Sequence, residues 1–199
     1  MKPTILIEAG HGGLIDGKYT TAPAKMHTFD DGFTFYEGVF NRKLCKKILE
    51  LASGKPYDVV YCNTFYSDDE NHDAPLSVRS KVINRLNKVY GGNCIGASVH
   101  GNAGGGYGGE VFHYPNSTKS EALAGCFSGG WSDSTKRKNR GVKTANFHML
   151  RETAIPMILT ENCFFDNRSD AEYMNSPLGI EEMAKAHVKA FDLYIEKFY

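Results

Sequence analysis

Short runs of apolar residues, each followed by glycine or polar turn residues, recur along the chain and predict buried β-strands. The first run, TILIE at positions 4–8, leads directly into the glycine-rich segment 9–13. Later runs of the same kind predict strands over residues 58–62, 94–99, 110–114 and 156–160. The predicted strands are therefore short, and the segments between most of them are long enough to hold helices.

Between these strands, apolar residues three or four positions apart predict amphipathic helices. Phe40, Leu44 and Ile48 share one face of a helix over residues 37–52. Strands that alternate with helices imply parallel crossovers, so the sequence predicts an α/β fold with a mostly parallel sheet and helices on both faces. Further helices are predicted over residues 75–90, 120–127 and 180–198, and loops over the aperiodic segments 14–35 and 132–140.

The length and composition are those of one globular domain, and we expect residues 1–199 to form it. Lys and Arg total 23, as do Asp and Glu, so the net charge is zero. This balance argues against nucleic-acid binding, and no apolar run is long enough to insert into a membrane. No signal-peptide hydrophobic region precedes the first strand, so we expect a protein made without one or a trimmed chain. The five cysteines are dispersed, which disfavours a cysteine zinc site or a disulfide framework.

Polar side chains follow three of the predicted strands: His11 the first, His100 the third and Glu161 the last. Ligands of open α/β sheets bind beyond the carboxyl ends of the strands, so these groups are expected to converge. Zinc hydrolases often use two histidines and a carboxylate, and Glu37, at the start of the first helix, is the candidate carboxylate. Glu161 is the candidate acid and base, because partial burial raises the pKa of a carboxyl toward neutrality.

Seven segments of the chain carry a recognisable set of motifs. They are ILIEAGHGG at 5–13, YEGVFNRKL at 36–44, RSKVIN at 79–84, SVHGNA at 98–103, GGEVFHY at 108–114, RGVK at 140–143 and PMILTENCFFDN at 156–167. In this order they resemble the motifs of the zinc-dependent N-acetylmuramoyl-L-alanine amidases, the amidase_3 family. Each match is short, but together they span nearly the whole chain and are specific.

The resemblance implies a six-stranded α/β fold, one zinc ion and peptidoglycan as the substrate. The implied reaction is hydrolysis of the amide between the lactyl group of N-acetylmuramic acid and L-alanine of the stem peptide. His11, Glu37 and His100 match the family's zinc ligands, and Glu161 matches its catalytic acid/base. In such a reaction zinc polarises the carbonyl and activates water, and the acid protonates the leaving nitrogen. Glu8 stands where the family commonly has Asp, and Cys163 where it usually has Gly.

Two other functions are weighed against the amidase: a peptidoglycan-binding module that has lost turnover, and a different zinc hydrolase such as a metallocarboxypeptidase or deacetylase. The presence of all three ligand positions and of Glu161 disfavours the first. His11 and Glu37 are too far apart for the His-x-x-Glu pattern of carboxypeptidases. The resemblance implies action at the bacterial cell wall, outside the cell or in the periplasm. Phage endolysin and bacterial autolysin both fit, and the sequence indicates no oligomeric state.

Overall fold

The computed structural model describes residues 2–199 and is built around a six-stranded sheet. The strands, numbered along the chain, are β1 (Thr4–Ala9), β2 (Leu14–Ile15), β3 (Lys18–Tyr19), β4 (Met26–Thr28), β5 (Thr34–Tyr36), β6 (Asp58–Tyr61), β7 (Cys94–Asn102), β8 (Gly109–His113), β9 (Asn139–Thr144) and β10 (Met157–Phe164). The sheet order is β6-β1-β7-β10-β8-β9. Every neighbouring pair is parallel except β10 with β8, which confirms the mostly parallel sheet predicted from the sequence.

Helices cover both faces of this sheet. They are α1 (Glu37–Leu51), α2 (Leu76–Val89), α3 (Thr118–Ser134), α4 (His148–Arg151), α5 (Arg168–Asn175) and α6 (Pro177–Phe198), with a 3-10 turn at Cys62–Phe65. Side chains from α1, α3, α5 and α6 form the larger hydrophobic core, and those from α2 and α4 form the smaller one. Along β1, Ile5 and Ile7 point into the larger core and Leu6 into the smaller. Because β1 is buried on both faces, its central residues 5–7 are all apolar and do not alternate with polar ones.

The segment that follows β8 differs from the sequence prediction. Helix α3 extends to Ser134 and does not end at residue 127, and strand β9 begins at Asn139. Both ends of the loop expected over residues 132–140 therefore belong to regular elements. Glycine has a low helix propensity, so the glycines at 125, 129 and 130 argued against a helix beyond residue 127 in the sequence-based prediction. One of them is needed for packing, because a Cβ at Gly130 would lie 2.5 Å from the carbonyl oxygen of Ala186 in α6. Contact between two helices therefore overrides the local preference here.

The segment 14–35, expected to be a loop, contains two small antiparallel pairs, β2 with β3 and β4 with β5. Each strand has only two or three residues, too few to show a period of two in the sequence. Strand β5 runs directly into α1, so this segment sets the position of Glu37 at the start of the helix. Within residues 2–199, none of the helices combines the length and the apolar character needed to cross a bilayer.

Candidate metal centre

Three side chains from three separate elements meet beyond the carboxyl end of β1. His11 follows β1, Glu37 is the first residue of α1, and His100 lies near the end of β7, which is longer than predicted. The Nε2 atom of His11 is 3.3 Å from Oε2 of Glu37, and Nδ1 of His100 is 3.0 Å from Oε1 of Glu37. One ligand atom from each residue lies within 4.8 Å of the other two. The structure thus brings together the three residues that the sequence proposed as ligands.

Glycines permit this close approach. A Cβ on Gly10 would overlap the imidazole ring of His100, and a Cβ on Gly38 would overlap the carbonyl oxygen of Gly12. His11 itself adopts the left-handed backbone conformation, with φ of 62°. Non-glycine residues adopt this conformation at a cost, and such strain is common at functional sites. The turn after β1 is therefore shaped to present His11 to the other two side chains.

The donor set fits zinc. Two imidazole nitrogens and one carboxylate are ligands that Zn²⁺ favours, and they leave a fourth position for water. Tetrahedral zinc with bonds of about 2.0–2.1 Å separates its ligand atoms by roughly 3.3 Å, close to the spacing seen between Glu37 and each histidine. Glu37 is almost fully buried. A buried carboxylate facing two imidazole nitrogens calls for a cation between them, either a proton or a metal ion.

The charges of the three groups are strongly coupled. Burial lowers the pKa of His11 to about 4, which leaves its ring neutral and able to offer a lone pair near neutral pH. Burial opposes charge on both Glu37 and His100, but the hydrogen bond and the attraction between them outweigh it. The pKa of Glu37 is consequently lowered and that of His100 is raised. Each of these two groups thus stabilises the charged form of the other.

Glu161 lies beside the three candidate ligands. It belongs to β10, where it is in register with His100 on the neighbouring strand. Its Oε2 atom is buried and has no hydrogen-bond partner among residues 2–199. Burial raises the pKa of Glu161 to about 8, and the charges of Glu37 and Glu110 add to this effect. A carboxyl with such a pKa can both accept and release a proton near neutral pH.

A cleft of about 310 Å³ opens beside His11 and His100. Pro23, Lys25, Asp73 and Leu76 also line this cleft. Pro23, Lys25 and Asp73 come from segments without periodicity, so their place in the cleft could not be predicted from the sequence. Leu76 was predicted only as part of the helix over residues 75–90. The backbone carbonyl of Lys25 accepts a hydrogen bond from the N–H of Glu37, which ties the cleft wall to the ligand.

A second group that sequence reasoning missed lies on the other side of Glu161. Glu110, in register with Glu161 on β8, pairs with Arg140 and Lys143 of β9. The pKa of Glu110 is lowered, because the hydrogen bonds and charges of these two cations outweigh its burial. The segment RGVK contains both cations, but only the pairing of β8 with β9 shows that they form ion pairs with Glu110.

Residues 5–192 match the sequence profile of the N-acetylmuramoyl-L-alanine amidase family (Amidase_3), and the chain belongs to this family. It is similar to the N-acetylmuramoyl-L-alanine amidase CwlM of Bacillus licheniformis, with 36% identity over 148 residues, 66% of this chain and 56% of that protein. It is also similar to the endolysin of Bacillus phage SPP1, with 26% identity over 95% of this chain and 65% of the endolysin. The chain thus spans less than two thirds of the length of these relatives.

The fold also matches solved structures. An N-acetylmuramoyl-L-alanine amidase from Clostridium difficile 630 superposes with a TM-score of 0.80 at 23% identity, covering 98% of both chains. The catalytic domain of CwlV, an amidase from Bacillus (Paenibacillus) polymyxa, superposes with a TM-score of 0.75 at 22% identity, covering 97% of this chain and 98% of that one. At these identities the similarity establishes the α/β fold.

Proposed function

We propose that this chain is a zinc-dependent N-acetylmuramoyl-L-alanine amidase that hydrolyses the bond between N-acetylmuramic acid and L-alanine in peptidoglycan. The observation that carries the proposal is the convergence of His11, Glu37 and His100 within 4.8 Å, with Glu161 in register beside His100. Membership of the amidase family supports the choice of substrate bond. Residues 1–199 constitute the catalytic domain in this proposal.

Each side chain has a distinct task in this reaction. His11, Glu37 and His100 would hold the zinc ion, which would polarise the scissile carbonyl and lower the pKa of the attacking water. Glu161 takes a proton from that water on its carboxylate and delivers it to the leaving nitrogen of L-alanine. Burial raises the pKa of Glu161 to about 8 in the metal-free protein, and the charge of a bound cation would lower it and favour the carboxylate that accepts the first proton.

The substrate sets the place of action. Peptidoglycan lies outside the cytoplasmic membrane, so we propose that the chain acts at the bacterial cell wall, outside the cell or in the periplasm. The similar proteins include both a phage endolysin and bacterial amidases, which fits release by a phage as well as an autolytic role. The cleft beside His11 and His100 is the proposed entry for the glycan and stem peptide.

The test combines metal content with product analysis. The purified protein is assayed for bound metal and incubated with purified peptidoglycan, with and without a chelator, and with zinc restored. We expect about one zinc per chain and chelator-sensitive release of stem peptides that begin with a free L-alanine amine, detected by mass spectrometry. Cleavage elsewhere in the stem would contradict the substrate bond. Retention on peptidoglycan without metal or cleavage would identify a binding module instead.

A further inference from the structure

A chain of buried hydrogen bonds runs from His100 into the interior, away from the other two candidate ligands. The Nε2 atom of His100 lies 3.1 Å from the hydroxyl oxygen of Ser98. Ser98 in turn donates a short hydrogen bond to Oε1 of Glu8. The other oxygen of Glu8 accepts a hydrogen bond of 3.0 Å from Nη1 of Arg79. Ser98 and Glu8 are completely buried, and Arg79 is almost so.

The direction of each hydrogen bond follows from the chemistry of the groups. Glu8 is ionised, since it is paired with Arg79, and a carboxylate can only accept hydrogen bonds. Ser98 has a single hydroxyl hydrogen, which it donates in the hydrogen bond to Glu8. The Ser98 oxygen therefore offers only lone pairs to His100, so Nε2 of His100 must be the donor. In a neutral imidazole, Nδ1 then carries the free lone pair, and this is the atom that faces Glu37.

The arrangement is held rigidly from three sides. Glu8 and Ser98 are directly paired in the register of β1 and β7, so the sheet itself sets their separation. Arg79 is fixed by Asp73 at 2.7 Å and by the carbonyl oxygen of Ala74 at 2.8 Å. The Tyr66 hydroxyl lies 3.3 Å from the same Glu8 oxygen that binds Arg79. None of the side chains in this hydrogen-bonded series can rotate without breaking a buried hydrogen bond, and breaking one is costly.

We propose that Ser98 and Glu8 are positioning residues that select the His100 tautomer with a hydrogen on Nε2, so that Nδ1 is ready to bind zinc. The inference rests on the zinc site of the proposed function. Outer hydrogen bonds of this kind fix the orientation of metal-binding histidines, and their loss typically weakens metal affinity by about 10–100-fold. Glu8, with Arg79 behind it, acts on the metal only through Ser98 and His100.

A purely structural role for the same residues makes a different prediction. Removing any buried hydroxyl that is hydrogen-bonded lowers stability, whether or not a metal is nearby. Ser120 provides the matched control, because it is also buried and its hydroxyl oxygen accepts hydrogen bonds from the N–H of Met157 and from Ser117. Met157 is the first residue of β10, four residues before Glu161. Ser98→Ala and Ser120→Ala each delete one buried hydroxyl, but only Ser98 is connected to His100.

The experiment measures zinc affinity on the metal-free protein by competition with a chromophoric chelator at fixed pH. We expect Ser98→Ala to weaken zinc binding by about 10–100-fold and Ser120→Ala to leave it unchanged. Glu8→Gln gives a stricter test, because glutamine has nearly the size and shape of glutamate but can also donate a hydrogen bond. The Gln oxygen should face Arg79, and its amide should then donate to Ser98. The serine hydrogen is thereby free to turn toward Nε2 of His100, which favours the wrong tautomer.

The tautomer provides a readout that a structural role would not move. In protein with ¹⁵N-labelled histidine and bound zinc, the His100 spectrum should show hydrogen on Nε2 and the metal on Nδ1. Equal zinc affinity for Ser98→Ala and Ser120→Ala, or zinc on Nε2 of His100, would overturn the inference. Glu8→Gln removes one of the two carboxylates that pair with the buried Arg79 and leaves Asp73 as the other. If that variant fails to fold, Ser98→Ala and Ser120→Ala still decide the question. Because peptidoglycan is not used, failure of the proposed amidase activity would be seen separately.

Discussion

Glu161 occupies a position that suits proton transfer and opposes its own ionisation, so its replacement by glutamine should stabilise the metal-free protein. Burial raises the pKa of Glu161 from 4.5 to about 8. A carboxyl whose pKa is raised in the folded state contributes stability that is fully present below pH 4.5. That contribution is lost as the pH rises through 8, because the unfolded chain ionises first. Glu161→Gln is neutral at every pH and lacks this dependence.

The pKa shift sets the magnitude. Near pH 7 the unfolded carboxyl is ionised and the folded one is mostly protonated, a difference of about 2.5 pKa units or roughly 3 kcal/mol. Near pH 4 both states are protonated and the difference vanishes. We therefore expect Glu161→Gln to raise the free energy of unfolding by up to about 3 kcal/mol near pH 7, and by more near pH 9. Water that enters the open cleft screens the charge, so this figure is an upper bound.

Urea unfolding in the presence of a chelator measures this effect, since a bound cation would favour the carboxylate and mask it. Glu110→Gln is the matched control: it is the residue paired with Glu161 across the sheet, but its pKa is lowered. This variant should lose stability at neutral pH, the opposite sign. A Glu161→Gln variant that is less stable than the wild type at pH 7, or a difference that does not vary with pH, would refute the reasoning. With zinc restored, the same variant should keep its metal and lose turnover.

Three further outcomes are expected. A chelator should lower the melting temperature of the wild type but leave that of His11→Ala unchanged, because this variant should bind zinc too weakly to be stabilised by it. An equal change in both proteins would contradict the ligand assignment. Gly10→Ala adds a methyl group that would overlap the His100 ring and displace it, so isothermal titration should show zinc affinity reduced by about tenfold or more. At Cys163, φ is 73°, a left-handed conformation that costs alanine more than glycine. Thermal unfolding should therefore show the Cys163→Gly protein to be more stable than the Cys163→Ala protein by about 0.5–1 kcal/mol, despite the greater chain entropy of glycine. The reverse order would show that the strain is relieved elsewhere.

Elements with a long and regular pattern were predictable from the sequence. Helices α1 and α6 and the buried strand β1 were located within a few residues. Burial on one face gives a helix a visible period, and burial on both faces gives a strand a run of apolar residues. The second half of α3 and strand β9 were not predictable. Their residues are held by contacts with α6 and β8, which are distant in the sequence and override weak local preferences.

The same division applies to the site. His11, His100 and Glu161 were identifiable in the sequence because each stands at or near the end of a buried strand, and Glu37 because it opens a helix. Whether these groups meet, what burial does to their pKa values, and which nitrogen of His100 faces Glu37 depend on the tertiary structure. Electrostatic effects of this kind act through space between strands that the sequence separates by tens of residues. The amino-acid sequence thus determined which chemical groups are available, and only the tertiary structure decided the distances between them. Those distances matter because the interaction between charged or polar groups depends on their separation and burial.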